Sequence, residues 1–315
     1  MPRANIPDKD AGDFAPRPDT RDIGEDKSLA IYLANHTAPF YLRAMTTPAL
    51  FDLTAQAEAR ARVRATGMFL QELACDEILE RLKAVNRQFK SVAIVTNFPQ
   101  AWCVAFPKAK LIRGADLLDL QPGQHDLVIH AMALHHCNDP IGQVVQCGRA
   151  LEPDGLFMGV CFGGQTLMEL RSALSTAEAE LRGGLSPRVT PMAEIRELGS
   201  LLQRASLALP VADSLKIPAA YSDIYHLMRD LRDMGETNIM TARQKTFTAK
   251  SLFVRAQEIF AAQFPADEGR IACTFDLVFL SGWAPHASQP KALKPGSVTK
   301  SLQQALEEAK SSLGN

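Results

Sequence analysis

The chain has 315 residues, 46% of them hydrophobic and 22% charged, and its 34 basic residues against 35 acidic ones leave a formal net charge of -1. That composition is ordinary for a globular protein, the length allows a full core, and the balance lacks the basic excess of a general nucleic-acid binder. No apolar run approaches the roughly 20 residues that span a bilayer, and Cys75, Cys103, Cys137, Cys147, Cys161 and Cys273 form no CxxC pair or zinc-knuckle spacing, so reduced thiols and no metal site are expected.

Residues 1–48 begin with a polar, charged, proline-rich stretch. It lacks the apolar content to offset ordering entropy, so a flexible arm is expected. Asp8, Asp10, Asp13, Asp19, Asp22, Glu25 and Asp26 make it acidic, and no apolar segment follows Met1. Neither a signal peptide nor a transit peptide is read there, and a cytoplasmic address is expected. Over 49–88, Phe51, Ala55 and Ala59, then Leu70, Leu73, Ile78, Leu79 and Leu82, recur at helical spacing, with Gly67 dividing two helices. Arg60, Arg62 and Arg64 give the first helix a basic side, either a solvated face or a surface for an acidic partner.

Buried strands are predicted at 91–95, 126–130 and 156–162, with a weaker one at 110–112 and a helix at 141–151. Helices follow over 165–181 and 192–205, then a strand within 207–219. Two further helices, over 221–234 and 248–264, precede a strand over 270–283 that places Ile271, Cys273, Phe275, Leu277 and Phe279 on one face. Strands alternating with helices across short loops predict an α/β fold with a doubly wound, mostly parallel sheet. The two helices between the last two strands predict a cap, about 221–266, over the sheet edge where ligands of such folds bind. The organisation read is an arm at 1–48, one domain at 49–290 and a tail at 291–315.

The segment Asp126-Leu-Val-Ile-His130, its small-residue turn from Ala131, and the pair His135 and His136 precede the turn Arg149-Ala-Leu-Glu-Pro-Asp-Gly-Leu156. In this order the blocks resemble the fourth and fifth strands of class I methyltransferases. The stretches at 163–167, 184–189, 228–238 and 281–286 look like the methyltransferase-domain family that includes the mitochondrial complex I assembly factor acting on an arginine of a core subunit. Bacterial relatives in that family are often named after the biotin-pathway carboxyl methyltransferase. The resemblance covers roughly residues 50 to 300. It implies a Rossmann-like frame, S-adenosylmethionine (SAM) as cofactor, and a protein partner in the form of a respiratory complex I subunit. It places the cofactor at Val95, Thr96, Asn97, Asp116, His130, Ala131 and His135. It places the substrate side of the cap at His136, Tyr221, Tyr225, Glu236 and Asn238.

The first-strand loop departs from that pattern. Methyltransferases of this class use glycines there so that backbone N–H groups approach the cofactor. Residues 95–102 contain no glycine and no acid, Phe98 and Trp102 add bulk, and Pro99 removes a donor. Only about 30 residues separate Val95 from Asp126, too few for a second strand ending in a ribose-binding acid and then a third strand. Asp116 or Asp119 serves the adenine loop or is a turn acid in solvent. His135 and His136 are pocket residues or buried, capping histidines, with no acid partner identifiable. Glu236 and Asn238 would grip a substrate guanidinium, although Asn238 also reads as a helix C-cap. Trp283, Tyr221 and Tyr225 line the cleft or pack the core.

Three functions follow. One is an active SAM-dependent methyltransferase, or another arginine-modifying enzyme. A second is a non-catalytic assembly factor, a pseudoenzyme on the same frame. The third is a remodelled pocket for another small ligand, lined by Phe98, Trp102, His130 and His135. The missing glycines favour the second: several lost contacts at about 1 kcal/mol each consume much of the roughly -8 kcal/mol of a micromolar ligand.

Overall fold

A computed structural model describes residues 49–290 of the chain. The expected arm at 1–48 and tail at 291–315 lie outside the described residues. In chain order the elements are α1 (Leu53–Ala61), α2 (Phe69–Val85), β1 (Val92–Thr96), α3 (Pro99–Trp102), β2 (Lys110–Arg113), β3 (His125–Ala131), α4 (Pro140–Ala150) and β4 (Leu151–Phe162). There follow α5 (Met168–Arg182), α6 (Ile195–Arg204), β5 (Ala208–Tyr221), α7 (Ile224–Met234), α8 (Lys250–Gln263) and β6 (Ile271–Trp283).

The strands form one sheet in the order β2-β1-β3-β4-β6-β5. The first four are mutually parallel, and β6 runs antiparallel to both of its neighbours. Strand β1, with sequence VAIVT, is buried along almost its whole length because it lies between β2 and β3 and is covered on both faces. That position suits a continuous apolar run rather than an alternating one. Ile94 faces one core with Leu127, Ile129 and Phe275, beneath α2, α5, α7 and α8. Ala93 and Val95 face the other with Val128 and Val144, beneath α4 and α6. Helices on both faces make the sheet doubly wound. Strand β6 serves both cores: Ile271, Cys273, Phe275, Leu277 and Phe279 point to the first, Val278 and Leu280 to the second. Each such fully buried side chain stabilises the fold by about 1.5–3 kcal/mol.

Helix starts follow local chemistry. Asp52 caps α1 by accepting from the N–H groups of Thr54 and Ala55. Asp139 caps α4 through Gly142 N–H, with Pro140 in the first turn, where a missing donor costs nothing. Gly67 ends a short 3-10 turn between α1 and α2 and packs directly on the backbone of Asp233.

One boundary differs markedly from the sequence expectation. Strand β4 starts at Leu151, ahead of the expected turn at 153–155, because Leu151 pairs with His125 before the register shifts. The turn chemistry survives inside the element as Asp154 at φ 63°. Between β1 and β3 the chain supplies a single strand, β2, which takes the sheet edge beside β1. The two helices α7 and α8 lie between β5 and β6, as the cap requires.

Candidate functional site

The turn after β3 carries the densest chemistry. Met132 leaves the strand at φ 49°, a left-handed conformation for a buried, unbranched side chain. Its N–H is tied to the carbonyl of Val160 at 2.9 Å. Such strain persists only where the surroundings impose it. A short 3-10 turn, Leu134–His136, then delivers two adjacent imidazoles. Helix α7 delivers the third group. It ends at Gly235, whose φ of 80° closes a left-handed cap. A side chain at Gly235 would meet Val63 at 2.7 Å. The reversal ties Glu236 N–H to Leu231 O at 2.8 Å and turns the Glu236 side chain toward the histidines.

His135 Nε2 lies 3.2 Å from Glu236 Oε2, and His136 Nδ1 lies 3.6 Å from the same oxygen. The three side chains are 2%, 8% and 8% exposed, so water screens little of this charge. The His135 ring lies tilted at 4.8 Å from Phe162, and His136 meets Phe51 edge-on at 5.4 Å. Burial pushes His136 down to about 3, against an upward pull from Glu236, so it is a neutral imidazole at pH 7. Burial pushes the Glu236 carboxyl up, but His135, His136 and Arg60 outweigh it and hold the carboxyl below its ordinary value. Arg60 is itself pushed down to about 10 by burial and remains charged.

Two of the three, His136 and Glu236, border a cavity of about 330 Å³ beneath the cap, lined also by Phe162, Arg188, Met228 and Phe253 among others. The volume is near the lower end of small-molecule pockets, roughly 300–1,000 Å³. Of the three arginines in the lining, Arg188 is held by Glu178 at 2.8 Å and Arg243 by Asp52 at 3.0 Å, so those two are neutralised within the fold, and Arg232 is the third. Glu236 is the one carboxylate among the described lining residues.

The other residues singled out in the sequence lie elsewhere. Val95 and Ala131 are fully buried in opposite cores. His130 is fully buried and turned away from the cavity. Its Nε2 meets Gln143 Oε1 at 2.6 Å, and Gln143 in turn donates to Ala115 O, so it latches α4 to the loop after β2. Burial pushes His130 down to about 4. Trp102 has no exposed surface and donates from Nε1 to Gln71 Oε1 at 3.1 Å, which makes it a core residue rather than a pocket wall. Asp116 is exposed, and its carbonyl accepts from Gln146. Tyr221 is buried and donates to Asp230 at 2.6 Å. Tyr225 is 38% exposed and packs near Phe253 without entering the cavity lining. Asn238 borders the cavity, but its amide is engaged at both ends, by Pro187 O and Met240 N–H. The C-cap role weighed for it belongs to Gly235.

The loop after β1 does not fit the SAM cradle that the resemblance implies. Phe98 N–H, which would face a ligand, donates to Thr96 Oγ1 at 3.1 Å. Phe98 and Trp102 are 4% and 0% exposed and fill the space beside the strand. Asn97 stands against Gly114 and Ala133, with its buried Oδ1 lacking a hydrogen-bond partner.

Sequence reasoning missed the acid partner of the histidine pair, because Glu236 lies 101 positions away. The signal that it left was a Met-Gly-Glu ending to a helix, which the left-handed cap explains.

No family model matches the chain. It is 40% identical over 176 residues to the arginine-hydroxylase NDUFAF5, mitochondrial, of Dictyostelium discoideum, covering 56% of this chain and 40% of that protein. It is 34% identical over 196 residues to the protein of the same name from Mus musculus, covering 62% and 57%. A malonyl-[acyl-carrier protein] O-methyltransferase from Laribacter hongkongensis is 28% identical over 193 residues, covering 61% and 62%. Among solved structures, the phosphoethanolamine N-methyltransferase 2 of Haemonchus contortus aligns at a TM-score of 0.35 and 12% identity, covering 69% of this chain and 53% of that one. The cytoplasmic expectation is overturned by the hydroxylase relatives, which are mitochondrial by name. An acidic N-terminal composition is no guide to compartment here. The chain spans 40–62% of the length of these curated relatives, and it is similar in sequence to the arginine-hydroxylase NDUFAF5 proteins and to the malonyl-[acyl-carrier protein] O-methyltransferases.

Proposed function

We propose that this chain modifies an arginine side chain of a protein partner during assembly of the respiratory NADH dehydrogenase, working from the cavity beneath the cap and without SAM at β1. The observation that carries the reading is Glu236. It is a desolvated carboxylate beside two histidines, at the wall of a cavity sized for a side chain. A guanidinium entering there finds a charged acceptor, and carboxylate pairing is the strongest recognition available to it. The mitochondrial relatives named arginine-hydroxylase support both the target residue and a site of action alongside the respiratory chain. A methyl transfer would need SAM held in line with the nucleophile, and the loop after β1, with Phe98 buried and its N–H taken by Thr96, argues against that.

The test is mass spectrometry of the dehydrogenase subunits from cells with the wild-type chain, with none, and with E236Q. Oxidation of an arginine C–H bond to C–OH takes one atom of dioxygen, the other leaving as water with two electrons from an external reductant, so the expected result is an arginine one oxygen atom heavier that is present only with the wild type. An arginine or carboxylate one methyl group heavier would overturn the reading in favour of the methyltransferase. Normal subunits and normal assembly without the chain would overturn the partner.

A further inference from the structure

We propose that His135, His136 and Glu236 form a binding site for a divalent first-row transition ion at the inner end of the cavity. The inference rests on the reading above for its purpose, but its geometry stands alone. One ligand atom from each of the three residues falls within a common span of 4.8 Å. Metal–nitrogen and metal–oxygen bonds are about 2.0–2.2 Å long. Neighbouring ligand atoms on one ion therefore lie roughly 3 Å apart, and the two His–Glu edges, at 3.2 and 3.6 Å, are already close to that. The third edge, between the histidines, closes by rotation of a ring.

Two imidazoles and one carboxylate on a single side of an ion leave the opposite positions open. That donor set suits a borderline ion such as Fe(II), whereas all-oxygen sets suit magnesium and calcium. Here the open side is the cavity, since His136 and Glu236 are both in its wall. With Oε2 on the ion, Oε1 of Glu236 is left to accept from a guanidinium, so ion and arginine are held by one carboxylate.

The ligands are also oriented from behind, as metal ligands usually are. Gln56 Nε2 donates to the backbone carbonyl of His136 at 3.0 Å and fixes the turn. The left-handed Gly235 fixes Glu236. Binding has one structural cost. Coordination through His135 Nε2 places the ring proton on Nδ1, opposite the N–H of Phe162 at 3.5 Å. That contact is already at the outer limit of a hydrogen bond, and it lengthens on loading. The structure holds the trio as a charge-assisted pair in the meantime, with His135 donating to Glu236.

The test uses the purified full chain, stripped with chelator and titrated with Co(II) as a spectroscopic probe. The expected result is one equivalent bound, with weak visible ligand-field bands and no sulfur charge-transfer band. E236Q and H136Q should each lower the affinity by more than about tenfold, and circular dichroism checks that both variants fold. A variant that unfolds is replaced by Q56A, which acts behind the ligand and should weaken binding without abolishing it. No Co(II) bound at millimolar concentration, equal affinity in the folded variants, or a cobalt–sulfur band from the neighbouring Cys137 would each overturn the site. The two readings fail separately. Arginine product formed by chelator-treated, metal-free protein would remove the metal and keep the function. Tight Co(II) binding in a protein that leaves arginine unchanged would do the reverse.

Discussion

Replacing Glu178 with glutamine tests how the cavity wall is held. Glu178 is 2% exposed on α5 and is wrapped by the loop that follows the helix. It accepts from Ser186 N–H at 2.8 Å, Ser186 Oγ at 2.6 Å, and Arg188 Nη2 and Nε at 2.8 and 3.1 Å. Pro187 and Arg188, between and beside these contacts, line the cavity, and Pro187 O holds Asn238. Burial pushes the Glu178 carboxyl up, yet Arg188 and Ser186 outweigh it and bring it from 4.5 down to about 2. That difference, at about 1.4 kcal/mol for each pH unit, is worth on the order of 3 kcal/mol. The folded value is below the unfolded one, so the contribution is complete above pH 4.5 and is lost as the pH falls through about 2. By pH 3 about 2 kcal/mol of it is gone. E178Q removes the charge, so it should unfold about 3 kcal/mol more easily than wild type at pH 7 and only about 1 kcal/mol more easily at pH 3. Urea unfolding of both proteins at pH 7, 5 and 3 reads this directly. A gap that stays constant with pH, or no gap at pH 7, would refute the charge argument.

Two further substitutions probe the elements around the site. G235A places a methyl in a left-handed backbone and against Val63, so it should cost at least about 1–2 kcal/mol in thermal unfolding. It should also abolish the proposed arginine modification through displacement of Glu236; a variant that melts early but gives as much modified arginine as wild type would separate the cap from the site. His130, held down to about 4 by burial, refuses a proton that the unfolded chain accepts at 6.5. Stability should therefore be full above pH 6.5 and fall by about 3 kcal/mol as the pH drops to 4. H130Q keeps a partner for Gln143 and should flatten that slope in urea midpoints; an unchanged slope would place the titration elsewhere.

The frame was readable because its strands are short apolar runs bounded by turn residues. Val92–Thr96 and His125–Ala131 fall within a residue or two of the runs read from the sequence. The cap was readable from the two helical periods ahead of the alternating strand. The site was less so. Val95, Ala131 and His130 were assigned to a cleft by their place at strand ends, but in a strand neighbouring residues point to opposite faces. Position along the chain does not fix which face a side chain takes when both are buried. Trp102 looked like an obstacle in a pocket because aromatic bulk is the same word in the sequence whether it blocks a ligand or fills a core. The histidine pair and Glu236 were each singled out, while their pairing was not, since contact across 101 positions leaves no local mark.

That separation governs when the site can exist at all. During synthesis the turn bearing His135 and His136 emerges long before Glu236, and the helix that presents Glu236 packs on the turn at Ala65–Gly67, on α8 and on β5. A chain stopped short of α7 keeps its imidazoles facing no carboxylate. Premature termination ahead of α7 therefore leaves the histidine pair without its carboxylate, and the trio is complete only once that helix has docked.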